Sequence, residues 1–248
     1  MAGASLTCVE KVTVPAFCIG KGQTPLHAAA WCGHASAVLF LLRCRANPNT
    51  VNVNSKSNAL HSASSTGRPR VLKALLKHRA ELNARSRWGL TPLDTCIMYR
   101  RSEGALVLLA ARASVETSSE GLSPLHMVGW SSAGAHLVRG LLAGKASMTS
   151  QYAPRAGSAI WIILITMGLS YRLGYRSYFR TFCYHVWGAT PLALAVLMGS
   201  VAEARALLEH RADPETKNVR GANARDLART CGIADMVRLL ETPVITLD

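Results

Sequence analysis

Eight histidines and seven cysteines are the side chains of this 248-residue sequence that are best suited to metal binding or catalysis. Three of the histidines, His27, His61 and His126, recur at intervals of 34 and 65 residues, and each follows a Leu. Such spacing gives each histidine the same structural duty in a separate copy of one unit, a hydrogen bond in a turn. No HExxH or cysteine-paired spacing accompanies them, and no GxSxG, Walker A or GxGxxG motif occurs. We therefore expect no metal, no cofactor, no catalytic residue and no enzyme activity.

The histidines belong to a phrase that returns along the chain. The steps between its Thr or equivalent positions are 34, 33, 32 and 67 residues, and the last step is about two periods. A period of this length indicates one supersecondary unit copied along an axis, in which neighbouring units supply one another's core. Function should then lie on a surface rather than in a pocket. The copies are Gly22–His27, Asn58–His61, Gly89–Asp94, Gly121–His126 and Gly188–Leu192.

Each copy reads as two short helices. A Thr such as Thr24 can cap the first helix, and Pro25 suits the first helical position, where a missing N–H costs nothing. A Gly such as Gly33 follows nine residues after the Thr and makes the turn. A Leu pair at about seventeen residues, as in Leu41-Leu42, faces inward from the second helix.

These units resemble ankyrin repeats, whose signature is TPLH, an Ala-rich helix, Gly, a Val/Leu-rich helix and a β-hairpin. The resemblance implies an all-α ankyrin-repeat solenoid of helix-turn-helix and β-hairpin units. Departures from the signature are Asn58-Ala59 for Thr-Pro, Asp94 for His and Arg100 for Gly. The expected organisation is an N-terminal segment 1–20, repeats 21–54, 55–87, 88–119 and 120–151, an insert 152–186, repeats 187–219 and 220–242, and a tail 243–248.

The resemblance further implies a non-catalytic scaffold or adaptor that binds a protein partner on a concave groove made by hairpin tips and first helices. In several repeats the residue seven positions after the capping Thr or its equivalent is large and apolar, and such residues are plausible binding anchors. The alternative is that the tryptophans fill gaps between adjacent units. The candidate partner-binding residues are Trp31, Met98 and Trp130 on the first helices and Lys56, Arg85, Arg87, Trp88, Lys217 and Arg220 in the hairpins.

Positive charge is concentrated in the first half of the chain. The formal net charge is +14, and residues 1–102 hold 14 basic and 3 acidic residues. A solvated outer face explains much of this charge, for example Arg70, Lys73 and Lys77 on one face of a second helix. An acidic protein partner is the alternative. Nucleic acid is disfavoured, because no stacking pattern or known nucleic-acid motif accompanies the charge. We expect a monomer.

A second basic pattern follows each second helix, at the position where the family usually has Gly. A cation there lies near exposed carbonyls at the negative end of the helix dipole, which predicts a stabilising role worth about 0.3–1 kcal/mol. A regular ladder that matches an acidic strip is the alternative. The residues are Arg45, Arg79, Arg112, Lys145 and Arg211.

The insert 152–186 carries none of the repeat marks. Its uncharged run Ala156 to Tyr171 falls short of the roughly 20 residues of a membrane span, and basic and aromatic residues follow it. Three interpretations stay open: a helix or hairpin packed on the solenoid in place of one unit, an apolar segment on a membrane surface, and a flexible excursion or sequence artefact. Two rival functions follow, a regulatory accessory attached to a membrane or membrane protein through the insert, and a substrate-recognition module of a larger complex such as a ubiquitin ligase.

The cysteines are odd in number and never spaced as CxxC, which predicts free thiols in a reducing compartment. No secretory signal is apparent at the N-terminus. We therefore expect a cytoplasmic or nuclear protein, with membrane association as the alternative that the insert leaves open.

Overall fold

The computed structural model describes residues 22–116, 121–131, 134–153 and 178–241, without the side chains of Trp130 and residues 178–181. The chain divides into two compact units, Met1–Ser114 and Val115–Asp248, here unit 1 and unit 2. The described residues contain helices and turns and no strand. This agrees with the predicted all-α class, whereas the predicted β-hairpins are tight turns.

Among the described residues, six helices lie in unit 1 and seven in unit 2. In unit 1 they are α1 Pro25–Cys32, α2 Ala35–Arg43, α3 Ala59–Thr66, α4 Pro69–Lys77, α5 Pro92–Met98 and α6 Ser102–Ala110. In unit 2 they are α7 Pro124–Ser131, α8 Ala135–Ala143, α9 Tyr178–His185, α10 Pro191–Leu197, α11 Val201–Glu209, α12 Ala224–Cys231 and α13 Ala234–Glu241.

The repeated phrase forms the start of each first helix. Thr24 caps α1: its side chain accepts a hydrogen bond from the backbone N–H of His27, and the His27 ring accepts one from the backbone N–H of Thr24. Pro25 occupies the first turn, and Gly33 ends the helix in the left-handed conformation, with φ of 78°. Local sequence thus sets both ends of the helix, as predicted.

The helices of unit 1 stack in two layers. The first helices pack in the order α1, α3, α5, and the second helices pack in the order α2, α4, α6. Ala28, Ala29 and Ala30 are completely buried, so small side chains let α1 and α3 approach closely. Leu60 and Leu93 are also completely buried in the same layer. No single pair of helices could bury these surfaces alone, which is the physical reason for the repetition.

Unit 2 stacks the fourth and fifth repeats directly on each other. Helix α7 packs against α10, and α8 packs against α11, although the insert separates these repeats in the sequence. The interpretation in which the insert takes the place of a unit between them is therefore wrong. Tyr152, only 1% exposed, holds the junction: its N–H donates to the Ala189 carbonyl at 2.9 Å, and its own carbonyl accepts from the Gly188 N–H at 2.8 Å.

The last part of the insert is a helix that packs on unit 2. Helix α9 contacts α12, and Phe182, Cys183 and Val186 are buried. The Asn218 amide donates to the His185 carbonyl at 2.8 Å. The uncharged run 156–171 lies outside the described residues. No helix in the described part of the chain is long and apolar enough to cross a membrane.

The hairpin turns are held by backbone hydrogen bonds within and between repeats. The Asn52 N–H donates to the Ser57 carbonyl at 2.8 Å, and the Ser86 N–H donates to the Leu90 carbonyl at 2.9 Å. The Arg87 N–H donates to the Ser55 carbonyl of the preceding turn at 2.7 Å. The bond from Arg87 therefore joins the tip of its own turn to the tip of the turn that contains Ser55.

Histidines of the repeated phrase connect adjacent repeats. The Nε2 atom of His27 donates to the Ser57 carbonyl, that of His61 to the Leu90 carbonyl, and that of His126 to the Ala189 carbonyl. Each bond is 3.0 Å long. Because a carbonyl only accepts, Nε2 carries the proton and Nδ1 is left as an acceptor. The predicted turn hydrogen bond exists, and the same ring also fixes the next repeat.

Asn58 fits this arrangement less well than a Thr would. Its Oδ1 accepts from the His61 N–H at 3.1 Å but lies 2.8 Å from His61 Nδ1, which is also an acceptor in this tautomer. The Asn58 Nδ2 is buried without a hydrogen-bond partner. A hydroxyl can accept and donate at once, as Thr24 does. The second repeat therefore has a cap with an internal conflict.

The cations that follow the second helices occupy strained backbone. All five predicted positions have positive φ, between 61° and 65°. Their N–H groups donate to carbonyls of the last helical turn, so the turn needs the left-handed conformation that Gly adopts most easily. The prediction from the helix dipole missed this backbone cost. The residues are Arg45, Arg79, Arg112, Lys145 and Arg211.

The prediction of free thiols holds only in part. Cys32, Cys96, Cys183 and Cys231 are in the thiol form, outside any disulfide, whereas Cys44 is disulfide-bonded. The cysteine argument for a reducing compartment is weakened accordingly, and the location of the protein in the cell stays a prediction.

Candidate protein-binding surface

A groove on unit 1 collects three of the predicted binding residues. First helices contribute Trp31, Ser65, Met98 and Tyr99, and hairpin turns contribute Ser86 and Trp88. We call this set the Trp31–Trp88 groove. Its cavity volume is about 160 Å³.

Regular stacking explains why these residues meet. Trp31, Ser65 and Met98 each stand seven residues after the cap of their helix, at Thr24, Asn58 and Thr91. Because α1, α3 and α5 pack in register, equivalent positions form a row across the layer. All three residues of this row line the groove.

The groove walls are apolar and open to water. The exposed fractions are 48% for Trp31, 62% for Trp88, 46% for Met98 and 47% for Tyr99. Large apolar side chains gathered at this exposure mark a contact surface rather than a core. The alternative prediction, that Trp31 fills a gap between units, does not fit a side chain with half of its surface in solvent.

The groove floor is polar and largely fixed. His61 lines it, but both ring nitrogens face partners within the repeats, and burial lowers the pKa of His61 below its usual range. Ser86 is only 8% exposed, and its hydroxyl has no hydrogen-bond partner. The Ser86 hydroxyl is therefore a buried, unsatisfied polar group that is closed to solvent and to a bound ligand.

Three of the predicted cations belong to the two hairpin turns that contribute residues to the groove lining. Lys56, Arg85 and Arg87 are all exposed. Lys56 stands between Ser55 and Ser57, which both line the groove, and Arg87 stands between Ser86 and Trp88. Arg87 Nη1 donates to the Asn54 carbonyl at 3.2 Å and Arg85 Nη1 to the Gly89 carbonyl at 3.2 Å, which orients both guanidinium groups. We call Lys56, Arg85 and Arg87 the basic edge.

In the part of unit 1 that the structure describes, acidic residues do not line the groove. Residues 22–114 hold thirteen basic and three acidic residues. The acidic residues are Glu81, Asp94 and Glu103, and none of them belongs to the groove lining. Asp94 is buried in the cap of α5, where its carboxylate accepts from the Thr91 N–H and hydroxyl, each at 2.9 Å. The local charge at the groove is therefore positive.

The other predicted residues lie in unit 2. Lys217 and Arg220 are exposed in the turn before α12, and the Arg220 guanidinium lies 4.7 Å from the centre of the Tyr184 ring. Arg220 thus contacts the insert helix α9. Trp130 lies in α7, and its side chain is outside the described part of the chain.

Sequence reasoning missed two residues of the groove lining, Tyr99 and Ser86. Tyr99 follows Met98 in the third repeat, where Arg100 replaces the usual Gly with φ of 57°. That missing Gly was a signal that the end of α5 differs from the other first helices. Ser86 gave no signal, because its lack of a partner depends on the tertiary packing around the hydroxyl.

In the described residues we find neither a cluster of metal-binding side chains nor a reactive thiol at the groove. No cluster there of three or more His, Cys, Asp or Glu side chains could hold a metal ion. Cys96 is completely buried, and burial raises the pKa of its thiol to about 12, so it is not a nucleophile at neutral pH. What the groove offers is binding by apolar contact, hydroxyl groups and positive charge.

Known proteins resemble parts of this chain. It is 32% identical to mouse Rabankyrin-5 over 109 residues, 43% of this chain and 9% of that protein. It is 34% identical to human transient receptor potential cation channel subfamily A member 1 over 112 residues, 44% of this chain and 10% of the channel subunit. The matching region thus spans about a tenth of the length of these relatives.

A solved structure and two family models both match this chain as ankyrin repeats. The crystal structure of the ankyrin repeat domain of Bcl-3, described as a unique member of the IkappaB protein family, matches with a TM-score of 0.67 and 22% identity, over 96% of this chain and 90% of that one. The family model for three copies of the ankyrin repeat matches residues 26–119, and the single-repeat model matches residues 187–219. Repeats of this kind generally mediate contacts between proteins. With the capped helix pairs and the histidines that connect them, these matches show that the chain belongs to the ankyrin repeat family.

Proposed function

We propose that this protein is a non-catalytic scaffold that holds a partner protein in the Trp31–Trp88 groove. The observation that carries the proposal is the meeting of Trp31, Trp88, Met98 and Tyr99 on one open surface, each with about half or more of its area in water. Burying such side chains against a partner favours binding, at about 25 cal/mol per Å² of apolar surface before the cost of association.

Aromatic residues are the commonest energetic anchors of protein interfaces. Two tryptophans and a tyrosine from the first and third repeats supply that role here, and the stacked helices beneath hold them in place before a partner arrives. A preorganised surface loses less side-chain entropy on binding. This arrangement supports a binding module rather than a structural filler.

Affinity capture tests the proposal. The full chain and its Trp31→Ser/Trp88→Ser variant are immobilised, and captured proteins are quantified by mass spectrometry. Val219→Ser is the matched control, because Val219 is 64% exposed but belongs to unit 2. A partner that is lost with the double variant and retained with the control, then shown to bind directly by calorimetry, supports the proposal. Partners that bind all three proteins equally refute it.

The rival functions stay predictions. Attachment to a membrane or membrane protein through residues 152–186 depends chiefly on residues 154–177, outside the described part. A substrate-recognition role in a larger complex such as a ubiquitin ligase would use the same kind of groove, and nothing in unit 1 distinguishes it from other scaffold roles.

A further inference from the structure

The chemistry of the Trp31–Trp88 groove identifies the kind of segment that fits it. We propose that the groove binds an acidic peptide segment of the partner protein, which inserts one large apolar side chain among Trp31, Trp88 and Met98 and places carboxylates against the basic edge. This inference rests on the proposed function and adds the anchoring residue and the charge of the occupant.

The size of the groove favours a single anchoring side chain. Its volume of about 160 Å³ lies below the 300–1,000 Å³ that is usual for small-molecule pockets. A protein segment does not need full enclosure, because the rest of its contact area lies along the surface. One apolar residue per binding segment therefore matches the space available.

The charge favours carboxylates. Lys56 and Arg87 alternate in sequence with groove-lining residues, and among residues 22–114 no acidic residue lines the groove. Both side chains are exposed, so a carboxylate can approach without first displacing a buried ion pair. Cations at an interface edge of this kind chiefly raise the association rate and make binding sensitive to salt.

A peptide library displayed on phage tests the inference with the full chain as bait. The expected result is enrichment of sequences with one large apolar residue flanked by Asp or Glu. A fluorescein-labelled synthetic peptide of the enriched sequence is then titrated by anisotropy. Trp31→Ser/Trp88→Ser should weaken its binding by about 30-fold or more, the loss typical of interface anchors.

Charge reversal tests the basic edge. Lys56→Glu/Arg87→Glu should weaken the same peptide about tenfold in low salt and flatten the dependence of its affinity on NaCl. The matched control is Lys73→Glu/Arg70→Glu, which makes the same change of net charge on exposed residues of α4. At about 0.1 M NaCl, where the Debye length is about 10 Å, the control should bind within about twofold of the original chain, because its two charges lie on the second helix α4 and not in the groove lining. Thermal unfolding of each variant verifies that it is folded.

The outcomes separate this inference from the proposed function. Enriched peptides that are neutral or basic, yet depend on Trp31 and Trp88, overturn the acidic occupant and leave the scaffold proposal standing. A library that yields no peptide dependent on the two tryptophans overturns both. Displacement of an enriched peptide by an oligothymidylate of equal or higher affinity, lost in the tryptophan variant, overturns the peptide assignment in favour of single-stranded nucleic acid.

Discussion

Acid should weaken the contact between the fourth and fifth repeats through His126. This ring is completely buried, its Nε2 donates to the Ala189 carbonyl, and its Nδ1 faces the Ser123 N–H and hydroxyl at 3.2 and 2.7 Å. A proton added at Nδ1 would face the Ser123 N–H, which also donates. Desolvation lowers the pKa of His126 from 6.5 to about 4 and outweighs the hydrogen bonds to the Ala189 and Ser150 backbone.

The sign of the effect follows from which state binds protons first. Above pH 6.5 the ring is neutral in both states, and the stabilisation from neutral His126 is fully present. As the pH falls from 6.5 towards 4, the unfolded chain binds the proton before the folded one, so stability falls. A shift of this size corresponds to about 3 kcal/mol, lost by the time the pH reaches the folded pKa of about 4.

Two measurements check this prediction. Nitrogen-15 NMR of labelled histidine should show a ring that stays in the Nε2–H form down to about pH 5. Urea unfolding between pH 7.5 and 4.5 should lose less stability in His126→Asn than in the original chain, although the variant is weaker at pH 7.5. His27, His61 and His185 also have lowered pKa values and remain in both proteins, so the difference isolates His126. A His126 that titrates near 6.5, or equal pH slopes in both proteins, refutes the reasoning.

Three further changes test the packing by denaturant unfolding. Asn58→Thr should stabilise unit 1 by about 1 kcal/mol, since a hydroxyl can both accept and donate at this cap. The control Asn223→Thr should give no such stabilisation, because the Asn223 Nδ2 already donates to Glu215 at 2.8 Å. Arg79→Gly should stabilise by about 0.5–1 kcal/mol by relieving left-handed backbone, and an equal or lower stability would restore the dipole explanation. Phe182→Ala should cost about 3–5 kcal/mol if α9 is a firm part of unit 2, and a cost below about 1 kcal/mol would mean that this helix is loosely held.

The sequence determined the repeated parts of this protein because their causes are local. Thr24, Pro25 and Gly33 define a helix by capping, ring geometry and positive φ, and these rules act within a few residues. The period then specified which faces stack. The row at Trp31 and Met98 was predictable for the same reason, because equal offsets in stacked units meet on one surface.

Tertiary structure decided whatever depends on residues distant in the sequence. The direct packing of α7 on α10 across the insert required the whole unit, since no local pattern says which repeats are neighbours when a period is interrupted. The insert helix α9 and its contact with Arg220 are further examples. Likewise, only the tertiary packing buries the Ser86 hydroxyl without a hydrogen-bond partner. Local rules place a side chain on an element, but its solvent exposure and hydrogen bonds are set by the elements packed around it.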